Sequence, residues 1–314
     1  MMLEGKVAVV TGAGRGLGRA YAVALAAAGA SVVVNDLDAE ALDETMEIIE
    51  AAGGTVTGLV AAVGSAEVAD KVVRTAVGTY DRLDVMVPNA GVLRDRTLTK
   101  LSDEDFDTVL ETHLRGTFTC ARAAVARFRE QGTGGRLILI GSPAGQFASF
   151  GQTPYSAAKA GIVGMARTLA AECGRMGVTV NAVIPTALTR MVATIPGLGE
   201  LVTAVDAGEP VPPVARRAGL GTPDDVAGLV VFLASDLAAD ITGQAIGAGG
   251  DRLSVWSHPT EVVVAAKEGG WSAQDIAEQA NSLLRPHVQS YQGAPPPDLS
   301  GADTSASKKE QVSA

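Results

Sequence analysis

Short β-branched runs alternate with longer alanine- and leucine-rich stretches from the start of the chain to Val183. Lys6–Val10, Ser31–Asn35, Thr55–Ala61, Arg82–Val87, Arg136–Gly141 and Val178–Val183 are rich in apolar residues without a clear polar face, which predicts strands buried on both sides. Between them, Arg19–Ala28, Ala39–Ala51, Ala66–Thr79, Asp103–Arg129 and Thr153–Cys173 are read as helices. Repeated β–α units predict an α/β fold, a doubly wound parallel sheet with helices on both faces. Ligands bind beyond the carboxyl ends of the strands in such sheets. By this reading Gly12, Asp36, Asn89, Ser142 and Pro185 all fall there.

The rhythm breaks between Thr186 and Gly221, where Pro196, Pro210, Pro212 and Pro213 stand among several glycines. A loop this long inside a compact domain is usually functional. Thr222-Pro223-Asp224-Asp225 reads as a helix start, and Gly243–Gly247 as the last strand. Residues 1–250 are expected to form one domain. Residues 251–292 form an extension with Trp256, Val262-Val263-Val264, Trp271 and a helical stretch from Ala273 to Leu284, expected to pack as an annex over a dimer or the substrate cleft. Pro, Ser, Ala and Lys dominate beyond Gly293, so 293–314 is expected to be a disordered tail.

Composition narrows the function classes. The net charge of −10 argues against nucleic acid. Uninterrupted apolar runs are too short for a membrane span, and Met1–Lys6 enters the first strand with no room for a signal peptide, so a cytoplasmic location is expected. Cys120 and Cys173 read as reduced buried thiols. His113, His258 and His287 lack ligand spacing, so no metal is expected. Arg94 and Arg96, which straddle Asp95, are candidate cations for a substrate phosphate or a solvated local cluster.

The first strand runs straight into Thr11-Gly12-Ala13-Gly14-Arg15-Gly16-Leu17-Gly18 and then a helix. Strand, glycine turn and helix is the context a dinucleotide pyrophosphate needs: glycine lets the backbone approach, and the helix N-terminus offers free N–H groups. Asp36, at the end of the second strand, can accept both hydroxyls of an adenosine ribose and would repel a 2′-phosphate, favouring NAD; Arg15 is the counter-indication. Tyr155 and Lys159 stand one helical turn apart. Alone, such a pair marks an amphipathic face. Beside a dinucleotide turn, an ammonium near a phenol that ionises near pH ~10 is equipment for moving a proton, and Ser142 can hold a substrate oxygen.

Turn, acid, Ser142, Tyr155 and Lys159 in this order resemble the short-chain dehydrogenase/reductase family from about Leu3 to Gly250. The resemblance implies a Rossmann-type sheet, a substrate lid over 186–221, and catalytic roles for Ser142, Tyr155 and Lys159. It also implies cofactor contacts from Gly12, Gly14, Arg15, Gly16, Leu17, Gly18, Asp36, Val63, Asn89-Ala90-Gly91, Tyr155, Lys159, Pro185 and Thr189. Pro88, Ala62 and Thr186 depart from the family pattern, Ala62 standing where an aspartate often meets adenine. His113 occupies the place of a tetrad asparagine, where it is expected to support proton exchange through Lys159. Asn89–Arg96, Ser102–Asp105 and His113–Gly116 are similar to the dehydrogenase domain of the multifunctional enzyme type 2 subgroup. That resemblance implies NAD-dependent oxidation of a (3R)-hydroxyacyl-CoA or a 17β-hydroxysteroid by a homodimer or homotetramer. The alternatives are an NADP-dependent 3-oxoacyl thioester reductase and a non-catalytic nucleotide sensor.

Overall fold

The structure is a computed structural model and describes residues 1–194 and 197–292. Eight strands form one sheet: β1 (Val7–Thr11), β2 (Ser31–Asp36), β3 (Thr55–Val60), β4 (Val85–Val87), β5 (Gly135–Ile140), β6 (Val178–Pro185), β7 (Ala245–Gly249) and β8 (Arg252–Trp256). Their order is β3-β2-β1-β4-β5-β6-β7-β8, all parallel except the antiparallel β7–β8 pair. The strand order reverses between β1 and β4, which opens a crevice above their carboxyl ends.

The sheet holds its register because alternate side chains enter two different cores. Ala8, Val10, Val32 and Val34 pack on one face with Tyr21 and Leu25 of α1 (Gly16–Ala27). Val7, Val9 and Val33 pack on the other face, against α3 (Ala66–Tyr80) and Phe128. Burial on both sides is why these runs lack a polar face. α2 (Ala39–Ala51) begins at Asp38, whose carboxylate accepts the Ala41 N–H.

Three expectations need correction. The helix expected over Asp103–Arg129 is α4 (Asp103–Leu110) and α5 (Gly116–Gln131), joined by a π-helical turn over Glu111–Arg115. Such widened turns often mark functional sites, and this one carries His113. Gly243–Gly247 does not close the sheet: β7 starts at Ala245, and β8 follows as an edge strand with Leu253 and Val255 exposed. The loop over 186–221 is partly helical. After α6 (Thr153–Cys173), it holds α7 (Gly199–Asp206) and α8 (Pro213–Arg217) around a small core of Leu188, Leu198, Val202, Val211, Ala215 and Leu220. The expected helix start at Thr222 is present as α9 (Asp224–Ala234), with Thr222 N–H donating to Asp225 Oδ2.

Beyond β8 the chain runs through α10 (Ala273–Gln279) to a second π-helical turn, Ala280–Leu284. None of its described residues is buried. It returns to the body where Ala148 N–H donates to Tyr291 O at 2.8 Å. Pro196 and the tail 293–314 lie outside the described residues.

Candidate active site

The glycine turn is built for close approach. A Cβ on Gly12 would stand 2.6 Å from Ala90 Cα, and one on Gly14 would stand 2.9 Å from Asp36 Oδ2. Gly12 and Gly16 also have positive φ, 64° and 54°. Asn89 Nδ2 donates to the carbonyls of Thr11 and Gly12, while Thr11 Oγ1 accepts from the Asn89 and Ala90 N–H groups. The ends of β1 and β4 are thereby fastened to each other across the crevice. Thr189 Cγ2 lies 3.8 Å from the position of a Cβ on Gly16, so the loop after β6 reaches over the turn. Helix α1 has no side-chain cap, which leaves its first N–H groups for an anion.

Asp36 is held by its neighbours. Oδ2 accepts the Gly14 N–H at 2.8 Å, and Oδ1 accepts the N–H groups of Leu37 and Asp38. Oδ2, with one donor, retains acceptor capacity for a sugar hydroxyl, while Oδ1 is occupied by its two N–H groups. Arg15 does not face the crevice unpaired: its Nη1 meets Asp38 Oδ2 at 2.9 Å. Arg19, unremarkable in the sequence, binds Gly14 O, Thr45 Oγ1, Ala41 O and Glu44, and so braces the turn against α2. On the far side Val63 Cγ2 packs near Gly116. Turn, carboxylate and uncapped helix together fit a nicotinamide dinucleotide, which the Gly14–Gly18 backbone and Asp36 could hold.

Ser142, Tyr155, Lys159 and His113 converge across the reversal point. Ser142 follows β5, is nearly buried, and hydrogen-bonds to Tyr155. Lys159 Nζ donates to Ile140 O at 2.8 Å and stands 5.5 Å from the Tyr155 ring centroid. Burial pulls the Lys159 ammonium down to about 7. The phenol of Tyr155 is raised, by burial first and by the Asp95 charge, while the Ser142 hydrogen bond lowers it. The hydrogen bond from Lys159 Nζ to Ile140 O anchors the ammonium at the end of β5, beside the Tyr155 ring.

His113 packs edge-on to Tyr155, with ring centroids 5.1 Å apart. Its Nε2 lies 2.8 Å from Val92 O and 3.1 Å from Val92 N. One ring nitrogen cannot donate and accept at once, so one tautomer serves the carbonyl and the other the N–H. Burial, reinforced by the Lys159 charge, lowers His113 to about 3 despite the Val92 hydrogen bond, so the ring is neutral. Its Nδ1 is buried without a partner among the described residues.

Arg94 and Arg96, candidates for a substrate phosphate or a local charge cluster, have local partners: Arg94 pairs with Asp105 at 3.4 Å, and Arg96 donates to Asp95 O. Sequence reading passed over Asp95 and Gln152, whose side chains meet at 2.9 Å. Among the described residues no group of His, Cys, Asp and Glu is arranged to hold a metal ion, and no helix is long and apolar enough to cross a membrane.

Residues 12–250 match the family described as enoyl-(acyl carrier protein) reductase, a short-chain dehydrogenase family. A hydroxyacyl-CoA dehydrogenase of Mycobacterium tuberculosis is 40% identical over 269 residues, 82% of this chain and 81% of that one. Peroxisomal multifunctional enzyme type 2 of Mus musculus is 43% identical over 204 residues, 62% of this chain, which spans only 27% of that enzyme. The crystal structure of a short chain dehydrogenase from Mycobacterium avium superimposes with a TM-score of 0.80 at 36% identity, covering 93% of this chain and 100% of that one. The chain belongs to the short-chain dehydrogenase/reductase family and is an oxidoreductase.

Proposed function

We propose that the protein oxidises a secondary alcohol to a ketone with NAD, and that its substrate is a (3R)-hydroxyacyl-CoA. The observation that carries this reading is the convergence of Ser142, Tyr155 and Lys159 beside the glycine turn. Ser142 Oγ hydrogen-bonds the substrate oxygen, and Tyr155 takes its proton. When bound, the nicotinamide ring supplies the hydride acceptor. Lys159 would hold the nicotinamide ribose, and its ammonium beside the phenol would favour the phenolate. His113, neutral and with a free Nδ1, supports the proton path through Lys159.

NAD is favoured over NADP because Asp36 stands at the ribose position and Arg15 is engaged by Asp38. The acyl-CoA assignment draws on the Mycobacterium tuberculosis and multifunctional relatives. A 17β-hydroxysteroid is the second substrate of that subgroup. The alternative is an NADP-dependent 3-oxoacyl thioester reductase, since 3-oxoacyl-[acyl-carrier-protein] reductases also stand among the relatives. A second copy of the chain is proposed to cover the apolar extension, since Val262, Val264, Trp271 and Leu284 are exposed in the single chain.

Rates with NAD and NADP, measured with (3R)-3-hydroxyacyl-CoA, a 17β-hydroxysteroid and a 3-oxoacyl thioester, test the assignment. NADP-only reduction would replace it with the alternative. Tyr155→Phe should bind NAD normally and lose turnover; full activity would sink the mechanism.

A further inference from the structure

The chain between Ser142 and Tyr155 has an inner and an outer half. The inner half, the short 3-10 turn Pro143–Gly145, is seated on α6: a Cβ on Gly145 would stand 2.7 Å from Ala160 N and from Lys159 C. Ala144 N–H donates to Ser142 Oγ in the same turn, so Ser142 is located by α6. The outer half, residues 146–152, is fastened instead by two segments distant in sequence.

On one side the segment after β4 holds it. Arg96 N–H donates to Gly151 O at 2.9 Å, and Gln152 Nε2 donates to Asp95 Oδ2 at 2.9 Å. On the other side the extension holds it. Ala148 N–H donates to Tyr291 O at 2.8 Å, and the Phe147 ring meets Trp256 of β8 edge-on, with centroids 5.2 Å apart. Trp256 lies in turn against β7, where a Cβ on Gly247 would stand 3.1 Å from its Nε1. This bracing leaves Phe150 displayed, 92% exposed. Leu98 is 73% exposed, and the Arg96–Gly151 bond brings its segment alongside. Gln152 caps α6, and Tyr155 follows in the first turn, about 5 Å along the axis. Two large apolar side chains on braced backbone, one helical turn from the reacting centre, offer a surface to an apolar ligand.

We infer that residues 146–152 and Leu98 form the outer wall of the acyl site, that Phe150 and Leu98 contact the substrate chain beyond its reacting carbon, and that Trp256 is the positioning residue that holds this wall. The inference rests on the reading of the substrate as a hydroxyacyl-CoA and deepens it. A short acyl group ends before the wall, whereas a long one is gripped by it, so the extension confers a preference for long chains. The wall acts on binding and leaves Ser142, which α6 locates, in place.

Rates with NAD and either (3R)-3-hydroxybutyryl-CoA or (3R)-3-hydroxydecanoyl-CoA test this, read as the ratio of kcat/KM, decanoyl over butyryl. Each methylene removed from water is worth about fourfold. Losing the grip on one or two of them should lower the ratio about tenfold in Phe150→Ala and in Trp256→Ala, through KM rather than kcat. Trp256→Phe keeps an aromatic edge against Phe147 and should restore most of the ratio. Leu253→Ala, exposed on the same strand, controls for a general loosening of β8 and should leave the ratio at the wild-type value. Equal losses on both thioesters, or an unchanged ratio in both alanine variants, overturn the inference and leave the proposed function standing. A lower sedimentation coefficient for Phe150→Ala with an unchanged ratio assigns the exposed ring to a second copy of the chain and also overturns it. A wild type that oxidises neither thioester overturns the proposed substrate, and the inference falls with it.

Discussion

Gly91→Ala is a small change with a large expected cost, because the space a methyl group needs is already filled by His113. A Cβ at Gly91 would run into His113 Cε1 and lie 2.9 Å from Nδ1 and 3.0 Å from Nε2. Gly91 does not have positive φ, so alanine brings no backbone strain and the effect is one of crowding. The ring has little room to retreat: it is 2% exposed, its edge lies against Tyr155, and Nε2 is tied to Val92. Overpacking of this kind costs about 1–3 kcal/mol, and displacement of the Val92 hydrogen bond adds about 1 kcal/mol. The expected destabilisation is therefore about 2–4 kcal/mol. Urea unfolding followed by tryptophan fluorescence, with the m value checked for constancy, measures it. Repeating the substitution in a His113→Ala background removes the obstacle, and the cost of Gly91→Ala should then fall below about 1 kcal/mol. A Gly91→Ala protein within about 0.5 kcal/mol of wild type, or an equal cost in both backgrounds, would refute the packing described here.

Lys159→Met should abolish turnover yet stabilise the protein at pH 7 by about 2 kcal/mol, the desolvation of a buried ammonium less the hydrogen bond lost at Ile140 O; denaturation midpoints at pH 7 check this. Since the Lys159 pKa is lower in the folded protein, wild-type stability should recover relative to the variant as pH rises from about 7 toward 10.5. His113 works in a lower window. Its neutral form is favoured by folding, so its contribution is complete above about pH 6.5 and is lost as pH falls toward about 3, on the order of 5 kcal/mol in all. His113→Asn should flatten that part of the stability profile. Asp36→Ala should weaken NAD binding at least about tenfold and spare NADP, read by fluorescence titration; equal loss for both dinucleotides would mean that only the turn had been disturbed.

Elements set by local pattern were legible in the chain itself. The helices Ala39–Ala51 and Thr153–Cys173 are found with the expected bounds, because each starts at a clear boundary and keeps its apolar face throughout. The glycine turn was readable because strand, glycines and helix are contiguous. Asp36 was readable because a strand end fixes where its side chain must be. The π-helical turn at Glu111–Arg115 was not: an extra residue in one turn leaves the apolar spacing of a long helix almost unchanged. β8 escaped for a related reason, since an edge strand with exposed Leu253 and Val255 has no buried face to impose alternation.

Side-chain pairings between distant segments account for the rest. The sequence by itself determined a doubly wound α/β fold, a glycine turn between strand and helix, an acid at the end of the second strand, and the presence of Ser142, Tyr155 and Lys159. These follow from contiguous patterns, whose physics is that of backbone geometry and the burial of one face. Only the tertiary structure decided that Arg15 is engaged by Asp38, that His113 is buried between Gly91 and Tyr155, and that Asp95 is joined to Gln152 across 57 positions of sequence. Charge and hydrogen bonding act through space, and the chain brings those partners together only when the sheet has assembled.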